Sequence, residues 1–331
     1  MPRTRGPRVQ AASGLDTDDR RVLALVAAAA IITSLVASIS LAVAAPLEHD
    51  GDRVLETPDI VAADDDAEEA RIPVELGTLS ANVLGDVVAS GSDGTGIDVA
   101  LIDTGTAPVD GLDDGKVLHG PDLSPESVHA ATRHVDNHGH GTHVAGIIAG
   151  DRVGQQGIAP GARIIIVKVA GRDGATSPAQ VVAAIDWVIA NRSTDGMNIR
   201  VLNLAYGAID VDSHVGDPIA AAVERAWHAG IFVVTAAGND GDSPGRLSSP
   251  AIDPLVLAVG STDSRTGLDL AEQTVPAFSQ HGDGDRNPDL VAPGRSIASY
   301  RAPGSAADEE HPSGRHGDDL FLGSGLSLIH I

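Results

Sequence analysis

From about residue 78 the apolar positions switch repeatedly between two spacings. Ile97–Ile102, Arg163–Val169, Ile199–Leu204, Ile231–Thr235 and Leu255–Val259 are short runs dominated by Ile, Val, Leu and Ala. That is the pattern of strands buried on both faces. Between them, Pro178–Asn191 places Val181, Ile185, Val188 and Ile189 on one helical face. Pro218–Ala229 aligns Ile219, Val223 and Trp227 before Gly230, a helix stop. His140–Ala149 reads as a helix of small residues able to pack close to a sheet. Buried strands separated by helices predict an α/β fold, a parallel β-sheet flanked by helices. In such sheets the chemistry sits at the carboxyl ends of the strands.

The first 77 residues follow different rules. Val22–Leu47 is an uncharged run long enough to span a bilayer as a hydrophobic helix. Arg3, Arg5, Arg8, Arg20 and Arg21 precede it and an acidic stretch follows. The positive-inside rule therefore assigns residues 1–21 to the cytoplasm and everything after Leu47 to the exterior. Ala42-Val43-Ala44 resembles a signal-peptidase site, so the run is expected to be either a signal sequence or a retained membrane anchor. Residues 48–77, with Asp64-Asp65-Asp66 and Glu68-Glu69, are expected to be an acidic, solvated linker.

Composition narrows this picture. Apolar residues make up 42% of the 331, but aromatics only 2%, so a core must be built from Ala, Val, Ile and Leu. The net charge of −24 repels nucleic acid and argues against a phosphate-binding role. Only Lys116 and Lys168 are lysines. A salt-adapted exterior and a GC-rich genome both account for that bias. With no cysteine, disulfides, thiolate metal sites and a thiol nucleophile are excluded.

Three strand ends or helix starts carry unusual residues. Leu101-Ile102-Asp103-Thr104-Gly105 puts a carboxylate at the rim of the sheet, where it needs a partner; a helix-capping turn would also use it. In His138-Gly139-His140-Gly141-Thr142-His143-Val144-Ala145-Gly146, glycines leave His140 room at a helix start. A helix N-terminus disfavours an imidazolium, and a nearby Asp103 would offset this and fix the tautomer. Val233-Val234-Thr235-Ala236-Ala237-Gly238-Asn239 ends a strand in an amide, a suitable donor to a developing oxyanion, or a plain turn residue.

In the order Asp, His, Asn, these stretches resemble the subtilases, the subtilisin-like serine peptidases. Gly157-Ile158-Ala159-Pro160 and Val291-Ala292-Pro293-Gly294 match family turns as well, and the resemblance covers residues 80–325. It implies a three-layer subtilisin-like fold over 78–325 and hydrolysis of polypeptide substrates outside the cell, with no cofactor required. It further implies that Asp103 orients His140, that His140 acts as general base and then acid, and that Asn239 donates to the oxyanion. By the same resemblance, Leu204-Ala205-Tyr206-Gly207 is the strand that pairs with the substrate backbone, and His143 is structural.

The nucleophile is less direct. Gly323-Ser324-Gly325 matches the family's lead-in, Leu326 stands where Thr is expected, and Ser327 falls on the nucleophile index. Leu-Ser-Leu-Ile-His-Ile is what a transposase mosaic-end adapter encodes in one frame. Residues 326–331 are therefore expected to be non-native, the catalytic domain incomplete and this chain inactive. Two alternatives remain: a peptide-binding protein that does not cut, and a zinc hydrolase using His138, His140 and His143. Calcium is frequent in the family; Asp283-Gly284-Asp285 and Asp240-Gly241-Asp242 are candidate loops, but solvated turns are the favoured reading of both.

Overall fold

A computed structural model describes residues 55–56, 73–76, 93–113, 115–208, 211–239, 241, 246–264 and 273–324. The Val22–Leu47 run, Asp240, Asp242, Ser327 and the 326–331 tail lie outside the described residues. Among the described residues no helix is long and apolar enough to cross a membrane.

In chain order the strands are β1 (Leu55–Glu56), β2 (Val74–Glu75), β3 (Asp98–Asp103), β4 (Val117–Asp122), β5 (Arg163–Lys168), β6 (Ala175–Thr176) and β7 (Ile199–Leu204). They continue with β8 (Phe232–Ala236), β9 (Leu257–Thr262), β10 (Leu290–Pro293), β11 (Ile297–Tyr300), β12 (Arg315–His316) and β13 (Leu320–Gly323). The α-helices are α1 (His140–Ala149), α2 (Pro178–Asn191), α3 (Pro218–His228) and α4 (Ala306–Glu310). Seven strands form one parallel sheet in the order β10-β9-β8-β7-β3-β5-β4.

The period of two along each strand sorts side chains into two cores. Val99 and Leu101 of β3 face one way, with Ile164, Ile166 and Val201, and pack on Val144, Ile147 and Ile148 of α1. Ala100 and Ile102 face the other way, with Ile165, Val167 and Leu202, onto Val181, Ile185 and Val188 of α2 and Ile219 and Val223 of α3. The result is the three-layer α/β arrangement expected from the sequence. Helices α2 and α3 start on Pro at the first turn behind a side-chain cap: Ser177 with Gln180 makes a reciprocal capping box, and Asp217 accepts from Ile219 N.

Three features depart from expectation. The strand read as Leu255–Val259 spans Leu257–Thr262, because Asp253 Oδ1 accepts from Leu255 N and holds the first two residues in a turn. Strand β4 escapes the apolar pattern because it is an edge with His119-Gly120-Pro121 inside it. The third is a second sheet, ordered β12-β13-β11-β2, whose strands are too short to show periodicity. Its β2 lies in the stretch expected to be a solvated linker; Val74 and Glu75 pair in parallel with Ile297 and Ala298. Upstream, β1 pairs antiparallel with β6.

Candidate active site

The site gathers at the carboxyl end of β3, where Asp103 is the last strand residue and α1 begins on His140. His140 Nδ1 donates to the Asp103 carboxylate, at 2.8 Å from Oδ1 and 3.0 Å from Oδ2. Both residues are buried. An ionised carboxylate can only accept, so this contact puts the proton on Nδ1 and leaves Nε2 as the basic nitrogen. Close approach of α1 makes the contact possible: a Cβ on Gly141 would lie 2.1 Å from Gly105 O. Thr104 N donates to Asp103 Oδ1 at 2.7 Å and fixes the carboxylate plane.

Sequence reasoning missed Asp136, the residue that assembles this end of the helix. It is 3% exposed. Its Oδ1 accepts from Thr104 Oγ1 (2.8 Å), His138 N (3.1 Å) and Gly139 N (2.7 Å). Its Oδ2 accepts from Thr142 N (2.8 Å) and Thr142 Oγ1 (2.6 Å). Thr104 Oγ1 in turn accepts from Gly141 N at 2.9 Å. The N–H groups of Gly139, Gly141 and Thr142 at the start of α1 are thus satisfied by one carboxylate and one hydroxyl, and the charge of Asp136 sits against the positive end of the helix. The available signal was an Asp four residues ahead of a histidine that opens a helix.

A second missed residue is Lys168, paired in register with Asp103 across β3 and β5. Its buried ammonium donates to Glu126 Oε2 at 2.7 Å and to Val135 O. Burial would raise the Glu126 carboxyl, but hydrogen bonds from Lys168 and Asn137 more than offset it and hold the pKa below the ordinary range. On the other side, α4 donates from Ala306 N to Asn137 O (2.8 Å) and from Ala307 N to His138 O (3.0 Å). The loop entering His140 is therefore clamped from two sides.

The three histidines of the zinc alternative do not converge. His140 Nδ1 is committed to Asp103, while His143 Nε2 donates toward Ile297 O (3.3 Å) and Phe321 O (3.2 Å). The rings of His138 and His140 meet edge to face with centroids 6.3 Å apart. Among the described residues no three His, Cys, Asp or Glu side chains are placed to hold a metal. Asp283 accepts from Asp285 N and Arg286 N, both at 3.0 Å, and these main-chain bonds lower its pKa; its carboxylate closes a turn.

Burial, aided by the charge on His140, lowers the His143 pKa from 6.5 to about 4. As pH falls from 6.5 toward about 4, the unfolded chain takes up a proton that the folded ring refuses, so stability is lost across that window. Above 6.5 both states hold a neutral ring and the contribution is complete; below about 4 the folded ring also protonates and the loss stops. The expected total is on the order of 3 kcal/mol. Urea denaturation across this pH window checks it: His143→Gln, whose amide can donate to the same carbonyls, removes that part of the slope.

Leu204, Ala205 and Tyr206 are buried at the carboxyl end of β7, and Gly207 is half-buried. Ala208 then bridges Ser249 antiparallel. The Tyr206 hydroxyl has no hydrogen-bond partner among the described residues, and burial, with Asp103 and Asp136 nearby, raises its pKa well above the ordinary value. Asn239 follows β8 on the same edge of the sheet. Gly238 before it has φ +116°, and a Cβ there would collide with Gln280 Oε1 and Ser248 Oγ, so only glycine lets the chain turn into Asn239. The structure thus brings Asp103 and His140 into contact and sets Asn239 and residues 204–207 along the same edge.

Comparison with known proteins identifies the family. The model of the subtilase family of peptidases matches residues 94–317. Serine protease AprX of Bacillus subtilis (strain 168) is 35% identical over 255 residues, 73% of this chain and 57% of AprX. Minor extracellular protease Epr of the same organism is 32% identical over 230 residues, 67% of this chain and 31% of Epr. The chain thus spans little more than half of one curated relative and under a third of the other. Among solved structures, a cold adapted subtilisin-like serine proteinase superposes with a TM-score of 0.53 at 29% identity, covering 70% of this chain and 71% of that one.

Proposed function

The chain belongs to the subtilase family, and on that premise we propose that it acts as a serine endopeptidase on extended polypeptides. The single observation that carries this reading is the buried Asp103–His140 contact, with the proton held on Nδ1 and the basic Nε2 left for the reaction. In this reading the serine that the locus encodes at the nucleophile position after Gly323-Ser324-Gly325, the position Ser327 holds in this chain, supplies the nucleophilic oxygen. His140 Nε2 takes its proton as the oxygen attacks the scissile carbonyl carbon. The carbonyl oxygen becomes an oxyanion that accepts from the Asn239 amide. His140 then returns the proton to the departing amine as the C–N bond breaks, and water repeats the sequence on the acyl-enzyme.

The substrate strand lies along Leu204-Ala205-Tyr206-Gly207 and adds to the main chain there by β-augmentation. Elsewhere in the fold β6 already accepts an extended segment, the antiparallel Leu55–Glu56, in a two-stranded sheet of its own. Export fits the chain's own charge pattern around Val22–Leu47 and the name of extracellular Epr. Whether that run is cleaved as a signal or kept as an anchor is a finer proposal: the Ala42-Val43-Ala44 site predicts a new N-terminus after Ala44, which N-terminal sequencing of the exported protein reads.

The test is hydrolysis of a chromogenic peptide and labelling by a fluorophosphonate probe, using the gene product as its locus encodes it. Hydrolysis and labelling that are both lost in His140→Ala support the proposal. Saturable peptide binding with neither labelling nor hydrolysis would favour the non-cutting alternative and overturn it.

A further inference from the structure

Asn239 can serve as an oxyanion donor only if the turn that carries it holds still. That turn opens on Gly238, at φ +116°, the residue type least able to fix its own backbone. Its order comes from a segment distant in sequence. Gln280 N donates to Gly238 O at 3.1 Å, and Gly241 N donates to Phe278 O at 2.9 Å, so the main chain is tied on both sides of Asn239. The buried Gln280 side chain adds a second tie. Its Nε2 donates to Arg246 O at 2.8 Å, and its Oε1 accepts from Ser248 Oγ at 2.7 Å. Ser248 N in turn donates to Ala237 O at 3.0 Å, which returns the link to the end of β8. Held by these two anchors, the carboxamide lies where a side chain of residue 238 would stand: Oε1 is 1.3 Å and Cδ 2.5 Å from the place of a Cβ on Gly238.

A glycine beside open space would share its backbone among several wells. Here the space is filled by an amide bonded at both ends, and such an amide has one orientation, since a carbonyl oxygen accepts only from its NH₂. Asn239 Oδ1 is buried with no hydrogen-bond partner among the described residues, so no bond to that oxygen aims the side chain and its direction follows from the main chain. Resting on the serine-peptidase reading above, we propose that Gln280 is a positioning residue for the oxyanion donor: its anchored carboxamide fills the side-chain space of Gly238 and so fixes the direction in which Asn239 presents its NH₂. Gln280 acts through Asn239 and not on the substrate. Its effect falls on the transition state, where the negative charge on the carbonyl oxygen develops, and leaves ground-state binding nearly untouched.

The experiment is a double-mutant cycle on peptide hydrolysis by the gene product as its locus encodes it, with Tm measured for every variant and rates taken where all are folded. Asn239→Ala should lower kcat by about 10²–10³. Gln280→Ala should lower kcat by about tenfold with KM within about twofold of the parent. In the Asn239→Ala background the same substitution should lower kcat by less than about twofold, because no donor remains to be aimed. Gln280→Met keeps the volume beside Gly238 but neither anchor; it should lose about threefold, again only when Asn239 is present, and it carries the cycle where Gln280→Ala does not fold. Parent-like kcat in both Gln280 variants overturns the proposal. So does an equal loss in both backgrounds, which would make Gln280 a packing residue only, and so does a loss confined to KM, which would place it in substrate binding. A parent-like kcat in Asn239→Ala has a separate meaning: the donor role itself falls, and this inference falls with it.

Discussion

Asp103→Asn is expected to lower kcat on a peptide substrate by about 10⁴ while KM and Tm barely move. The size of the effect follows from the geometry of one carboxylate. Oδ1 already accepts from Thr104 N at 2.7 Å, so the amide oxygen of an asparagine must take that position. The amide NH₂ then occupies the place of Oδ2, 3.0 Å from His140 Nδ1. His140 Nδ1, 2.8 Å from the Oδ1 position as well, would then lie between the amide oxygen and the amide NH₂, and the donor facing its proton favours the tautomer in which Nδ1 accepts from that NH₂. The ring relieves the clash by moving its proton to Nε2, and the nitrogen that must accept the serine proton already holds one. The side chain is isosteric and the Thr104 contact survives, so binding and stability stay near the parent. Steady-state kinetics with matched Tm measurements check this. A loss of less than about tenfold would mean that Asp103 does not set the tautomer, and the mechanism proposed above would lose its base.

That dyad was legible from sequence because each member breaks a local rule. A carboxylate after four apolar strand residues and a histidine between two glycines at a helix start are both costly without a partner. The main sheet was legible for a similar reason: β3 and β5 are buried on both faces and read as apolar runs between polar ends, and β7 is interrupted only by Arg200 and Asn203. Asp136 was not legible, since Asp-Asn-His-Gly reads as a polar turn and its five donors, spread from Thr104 to Thr142, converge only in three dimensions. Lys168 looked like the end of a strand; its partner Glu126 is 42 residues away. The second sheet was hidden because β2 and β12 have two residues each and take their register from β11 and β13. The hydrogen bonds from Arg286 to Ala251, Asp253 and Val256 could not be read at all, because main-chain carbonyls carry no residue identity.

Asp136→Ala is expected to cost about 3–5 kcal/mol of stability and about 10² in kcat. The stability term comes from donors that cannot turn away. The hydroxyls of Thr104 and Thr142 can rotate, and Thr104 Oγ1 has Asp103 Oδ1 as a second acceptor at 3.2 Å. The N–H groups of His138, Gly139 and Thr142 are main chain, buried and fixed by the entry into α1. Each one left without an acceptor costs about 1–3 kcal/mol, and water entering the vacated space recovers part of it. The rate term comes from position. Gly139 and His138 bracket the turn that aims His140, and a shift of about 1 Å in that ring is enough for the kinetic loss. Asp136→Asn separates the two contributions. With its oxygen placed at Oδ1 it keeps the His138 and Gly139 bonds, and only Thr142 N faces an NH₂ group. Its stability loss should therefore fall to about 1–2 kcal/mol, with kcat within about tenfold of the parent. Urea denaturation and kcat measured on the two variants decide the matter. Equal kcat in Asp136→Ala and the parent, at temperatures where both are folded, would show that the clamp from α4 and Lys168 holds His140 without help from this carboxylate.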